Sequence, residues 1–129
     1  MKGRFSEGFR ERTKRYASGV IRLYVQLPKA REEVRILGKQ LLRAGTSVAA
    51  HVREASRARF DEEFVSKLGG ALQEADESAL WLELLREDCG IEPAFTKALE
   101  VESSELIAIM TTMINRTKEK QTAETRKQK

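Results

Sequence analysis

The chain has 129 residues, of which 34% are charged and 6% aromatic, with net charge +4, two prolines and one cysteine. That length supports one domain with a single modest core, and the composition favours long solvated helices over sheet. A lone Cys89 excludes an internal disulfide and fits a reducing cytoplasm, and no apolar run is long enough to span a bilayer.

The first helix is expected from about Ser6 to Leu27. Phe9, Tyr16, Val20, Leu23 and Leu27 fall on one stripe, with Thr13 filling a step. Gly19 weakens this helix slightly and suggests a close contact. Pro28 ends it, because the residue before a proline is biased away from helix. The N-terminal MKGRFSEGFRER has no apolar core segment, unlike a signal peptide. A second helix is expected from about Arg31 to Ser56. Val34, Leu37, Leu41, Gly45, Val48, Val52 and Ala55 recur alternately three and four apart, the spacing of a helix packed lengthwise on others. Ala44, Gly45, Ser47, Ala49 and Ala50 cluster on it, so a neighbouring backbone can come close.

The third helix is expected from about Asp61 to Asp88. Asp61, Glu62 and Glu63 suit the positive end of its dipole. Its stripe reads Phe64, Leu68, Leu72, Ala75, Ala79, Leu82 and Leu85, and Gly90 suits the C-cap. Gly69-Gly70 lies inside it and points to close helix packing. A fourth helix begins at Pro93, a good first-turn residue. It is expected to run to about Lys118 through Phe95, Leu99, Leu106, Ile109, Met110 and Met113, with Ser103-Ser104 as a place where it could break. Residues 119–129 lack apolar periodicity and are expected to form a basic, disordered tail beyond a bundle spanning 1–118. Four such helices predict an all-α, antiparallel up-and-down four-helix bundle.

Charge is segregated along the chain. Residues 1–15 carry +4, residues 22–59 carry +6, residues 60–105 carry −10 and residues 106–129 carry +4. A simple nucleic-acid-binding domain is usually basic without such a counterweight. Opposite halves can also neutralise one another within a protomer or between protomers.

Catalytic and metal constellations are poorly represented. A di-iron bundle needs two Glu-x-x-His pairs, and this chain has one histidine, in a reversed His51-x-x-Glu54. Cys89 sits near a helix C-terminus beside Glu87 and Asp88, the wrong field for a reactive thiolate. No glycine-rich phosphate loop occurs. The expectation is therefore no enzyme, no cofactor and no metal. The best binding feature is a row of basic residues on the second helix: Arg35, Lys39, Arg43, Arg53 and Arg57, with Arg31 and Arg59 near its ends. Such a row can track phosphates without reading sequence. It can equally be a solvated face or pair with the acidic third and fourth helices, and it holds no interleaved aromatics for base stacking. In LWLELL, Leu80, Trp81 and Leu82 cannot all face one core, so Leu80 or Trp81 is presented outward, either as a subunit contact or at the edge of a wide buried stripe. His51, among small residues one step off the seam, suits a hydrogen bond across a helix crossing or an oligomer interface.

The segments RERTKRYASGVIRLYVQLPK, QLLRAGTSVAAHVREASRARF and EEFVSKLGGALQEADESALWLELL together resemble the four-helix bundle family encoded, among other places, in intervening sequences of bacterial 23S ribosomal RNA genes. The resemblance covers roughly Phe9 to Lys118. It implies a four-helix bundle, often a homopentamer, with no established enzymatic activity. A more distant relative is the accessory protein of diversity-generating retroelements, which works beside a reverse transcriptase. Two departures stand out: His51 where the family usually has Asn, and Phe60 where a small hydroxyl residue is common. The expectation is a cytoplasmic, non-catalytic oligomeric bundle that contacts RNA or DNA or, alternatively, serves as an accessory subunit to a protein such as a reverse transcriptase.

Overall fold

A computed structural model describes residues 7–128. It contains four helices: α1, Glu7–Gln26; α2, Glu32–Ser56; α3, Asp61–Glu87; and α4, Pro93–Gln128. Each packs antiparallel on its neighbour in the chain, and α1 and α4 touch least, closing an up-and-down bundle. Ser6, the expected first residue of α1, lies outside the described residues.

The expected α1 stripe is the buried one: Phe9, Thr13, Tyr16, Val20, Leu23 and Leu27 all face the core. The helix stops before Pro28, and the Lys29 ammonium donates to the Tyr24 and Leu27 carbonyls, satisfying acceptors the helix leaves open. The α2 stripe also holds, except that Leu37 is only partly buried and Gly38 takes the core position. A Cβ on Gly38 would stand 2.9 Å from Leu27 Cδ1, so the Leu27 side chain just past α1 would have to shift to admit one. At the next crossing, a Cβ on Gly45 would meet Val20 at 2.8 Å.

In α3 the core positions are Phe64, Leu68, Ala71, Ala75, Ser78, Leu82 and Leu85. Ala71 and Ser78 replace the expected Leu72 and Ala79, which are half-buried. The expected stripe followed the larger apolar residues, whereas the small-residue face of α2 selects small partners for close approach. Of the glycine pair, only Gly70 is tightly packed; nothing lies within 4 Å of a Cβ on Gly69. Gly90 ends the helix with φ +70, a left-handed conformation that glycine adopts without strain. The Ile91 amide then donates to the Leu85 carbonyl at 3.0 Å, with Ile91 buried beneath the turn.

Helix α4 departs most from expectation. It is continuous through Ser103-Ser104 and extends to Gln128. Its seam is partly polar: Thr96, Ser103, Leu106, Met110 and Ile114 are buried, while Phe95 is 49% exposed. Ser103 Oγ donates to the Leu99 carbonyl at 2.7 Å and lies 2.6 Å from Tyr16 Oη, which must then supply the proton between them. Burial pushes the Tyr16 hydroxyl above its ordinary range. The segment 119–128 is helical although it lacks an apolar stripe. It contains no Gly or Pro, and Thr122 and Thr125 hydroxyls bond back to the Lys118 and Gln121 carbonyls. Lack of periodicity reports lack of burial, and good helix formers keep the backbone helical regardless.

Two forked ion pairs hold α4 in place. Arg12 reaches Glu102 at 2.7 and 2.8 Å and Glu105 at 3.0 Å; Arg86 grips Glu100 with two bonds of 2.9 Å. The hydrogen bonds from these guanidiniums hold the Glu102 and Glu100 carboxyls below the usual range. A depressed folded value contributes stability above the unfolded glutamate pKa, about 4.3, and that contribution is lost as pH falls through the folded value. The unfolding midpoint should therefore drop as pH falls below about 4. Glu102→Gln should lower it near neutrality by the equivalent of about 1 kcal/mol or less and make the acid decline shallower. Thermal melts across pH for parent and variant measure this, and parallel declines would show that Arg12 contributes nothing through Glu102.

Candidate functional site

The basic row of α2 lies on its outward face, within about a quarter of the helix circumference at 3.6 residues per turn. Neighbouring helices divide it. Arg35 stands 3.5 Å from Glu32 one turn earlier. Arg43 leans to α3, 3.8 Å from Glu74 and 3.7 Å from Glu77. Among the described residues, no carboxylate comes within ion-pair distance of Lys39, Arg53 or Arg57. Both sequence expectations thus coexist: one cation serves the α2–α3 contact, and the C-terminal pair is left to solvent.

Arg53 and Arg57 border a groove between α1 and α2. Ala49 and Ala50 line it, and Arg10 and Lys14 approach from α1. The small alanine side chains leave a trough between rows of longer ones. Glu7, Glu11 and Glu54 also line it. Glu54 is engaged by Lys67 at 3.0 Å, which holds its carboxyl below the usual range, and Glu7 sits 4.0 Å from Arg10. The two cations on each wall are about one helical turn apart, which suits successive phosphates better than a single small anion.

Further basic residues converge at this end of the bundle. Gln121 Nε2 lies 3.4 Å from Glu62 Oε1, so the last turns of α4 pass the start of α3. They carry exposed Lys118, Lys120, Arg126 and Lys127. A helix ended at Lys118 misses this projection; the unbroken run of helix-forming residues to Gln128 was the available signal.

The proposed interface residues fall differently. Leu80 is 46% exposed, whereas Trp81 is half-buried against the core. His51 lies in the α2–α3 crossing, its Nδ1 3.1 Å from where a Gly70 Cβ would be. His51 Nδ1 and Glu74 Oε2 are buried there without hydrogen-bond partners, as is Trp81 Nε1 further along α3. Burial, then the neighbouring Glu77, pushes the Glu74 carboxyl above its ordinary value. Cys89 is buried, which raises its thiol pKa, and its carbonyl accepts from Arg31 at 2.8 Å. Among the described residues no three His, Cys, Asp or Glu side chains are placed to hold a metal, and no helix is long and apolar enough to cross a membrane.

Residues 9–112 match the family model of the 23S rRNA-intervening sequence proteins. A crystal structure of a protein of unknown function from the S23 ribosomal protein family of Bacteroides thetaiotaomicron has the same fold, with TM-score 0.74 and 30% identity. The match covers 81% of this chain and 96% of that one. No curated protein matches the chain.

Proposed function

The chain belongs to the 23S rRNA-intervening sequence protein family, and from that premise we propose that it is a non-catalytic, homo-oligomeric RNA- or DNA-binding bundle that grips the backbone through α2. The observation that carries this reading is the pair Arg53 and Arg57, unengaged by carboxylates among the described residues and facing Arg10 and Lys14 across a groove. The family's link to ribosomal RNA makes RNA the first nucleic acid to test. Lys39 extends the contact along the helix; Arg35 and Arg43 add longer-range attraction, tempered by their glutamate neighbours.

A homopentamer is the assembly we propose, with Leu80, Trp81 and His51 at the subunit contact. Exposed Ile36 and Leu80 on α2 and α3 support an outward apolar surface. The same surface favours a second reading, an accessory subunit bound to a protein partner such as a reverse transcriptase.

Binding of labelled RNA across a salt series tests the main reading. Engagement of the four groove cations should give a log–log slope near −3, at about −0.7 to −0.9 per phosphate. Light scattering on the same samples should return a multiple of the chain mass. Absence of RNA and DNA binding at low salt would leave the protein-partner reading, and a monomer mass would remove the pentamer.

A further inference from the structure

Phe60 is in a costly position. It is the N-cap residue of α3, with extended backbone (φ −123, ψ 152) and no side-chain bond to the first-turn amides. Ser, Thr, Asp or Asn at that position would accept one of those orphan donors. The ring is also 63% exposed, among the most exposed large apolar side chains of the protein. Among the described residues the ring packs into no core, and the backbone conformation is one that any residue adopts.

The surroundings of the ring indicate a ligand. The Arg59 guanidinium lies 6.0 Å from the ring centroid, and no carboxylate is within ion-pair distance of it among the described residues. Arg57, at the lip of the basic groove, is three residues away, a reach of at most about 10 Å. On the other side, Phe60 borders a cleft formed with the last turns of α4 and lined by Asp61, Glu62, Gln121 and Glu124. Those carboxylates exclude phosphate from the cleft, but they can accept hydrogen bonds from the amino groups of a base edge. An aromatic face, an adjacent arginine, cations on the approach and acceptors beyond are the requirements for holding an unpaired base whose phosphates lie in the groove.

We infer that Phe60 and Arg59 form a stacking site for an unpaired nucleotide, which makes the ligand of the α1–α2 groove a single strand, or a duplex with a flanking single-stranded segment. The inference rests on the backbone-binding reading and adds to it the class of nucleic acid. It also brings an aromatic to a basic row that, along α2 alone, has none. In a duplex the bases are stacked on one another and their faces are closed to the ring, so the preference for single strands follows from the chemistry of stacking.

The test uses the full chain, a short single-stranded RNA and a blunt-ended, fully paired RNA duplex, with Phe60→Ser and Phe60→Trp as variants. Phe60→Ser supplies a capping hydroxyl, so its unfolding midpoint should be at least that of the parent. Its affinity for the single strand should fall about tenfold, within the range measured for removing one base–aromatic stack, while affinity for the blunt duplex stays unchanged. Phe60→Trp should keep the parent's single-strand affinity. A 2-aminopurine placed in the strand should be quenched by the parent and not by Phe60→Ser. Equal single-strand affinity for parent and Phe60→Ser, with salt-dependent binding intact, would overturn the stacking site and leave the backbone reading standing. Loss of oligomer mass in Phe60→Ser would also overturn it, because the ring would then be seated on a second copy. Failure of the parent to bind either RNA removes both readings.

Discussion

Gly45→Leu should lower the unfolding midpoint by roughly 5–10 °C, at about 4 °C per kcal/mol for a domain of this size. A Cβ on Gly45 would stand 2.8 Å from Val20 Cγ2, 2.9 Å from Cγ1 and 3.1 Å from Cβ. Val20 is fully buried and β-branched, so its side chain has no alternative rotamer to retreat into without moving α1. The helices must separate, and overpacking of this kind costs typically 1–3 kcal/mol or more. The expected loss is a large part of the 5–15 kcal/mol that holds an ordinary domain together. Gly69→Ala is the matched control. It faces open space on α3, and alanine is favoured over glycine in a helix interior by about 1 kcal/mol, so this variant should melt higher than the parent. Thermal melts of the two variants beside the parent decide the matter. An unchanged midpoint for Gly45→Leu would mean that the α1–α2 crossing is looser than these contacts imply.

Replacing both Arg53 and Arg57 with Gln should flatten the salt dependence of nucleic-acid binding by nearly two units, at about −0.9 per phosphate contact on duplex DNA. Among the described residues neither guanidinium engages a carboxylate, so the fold should be unaffected. The loss should be similar on unrelated sequences, because phosphate contacts carry no base information. Arg43→Gln makes the informative contrast. Its cation stands between Glu74 and Glu77 of α3, and Glu74 is already disfavoured as an anion by burial. Removing Arg43 should destabilise the α2–α3 contact and barely alter the slope. A salt series and an unfolding curve on each variant separate the two roles. Equal slopes for the parent and the Arg53–Arg57 double variant would remove the groove from the binding surface.

The bundle was legible from apolar spacing in α1 and α2. A residue's place on one helix determines which face turns inward, and Phe9 to Leu27 and Val34 to Ala55 follow that rule with only Leu37 displaced by Gly38. The glycines at 19 and 45 also marked close crossings, because a missing Cβ in a helix has a cost that only proximity repays; the sequence does not mark Gly38 that way, and Gly69, expected with Gly70 to pack closely, faces open space. Periodicity was less informative in α3 and α4, where Ala71, Ser78, Thr96 and Ser103 occupy core positions that larger apolar residues were expected to fill. Packing against a small-residue face selects by size and by available hydrogen bonds, neither of which a hydrophobic stripe records. The division of the basic row depended on tertiary structure alone. The sequence places Arg35, Lys39, Arg43, Arg53 and Arg57 on one face of α2, and nothing in that spacing says which of them meets a carboxylate. The register of α3 against α2 gives Arg43 two glutamates, and the register of α1 gives Arg53 and Arg57 a groove shared with Arg10 and Lys14. Likewise, Phe60 and the end of α4 are about sixty residues apart in sequence and meet because α3 and α4 are antiparallel. Local propensity and periodicity act within one helix, whereas these sites are built from the rotations and registers of several, set by long-range packing of the whole core.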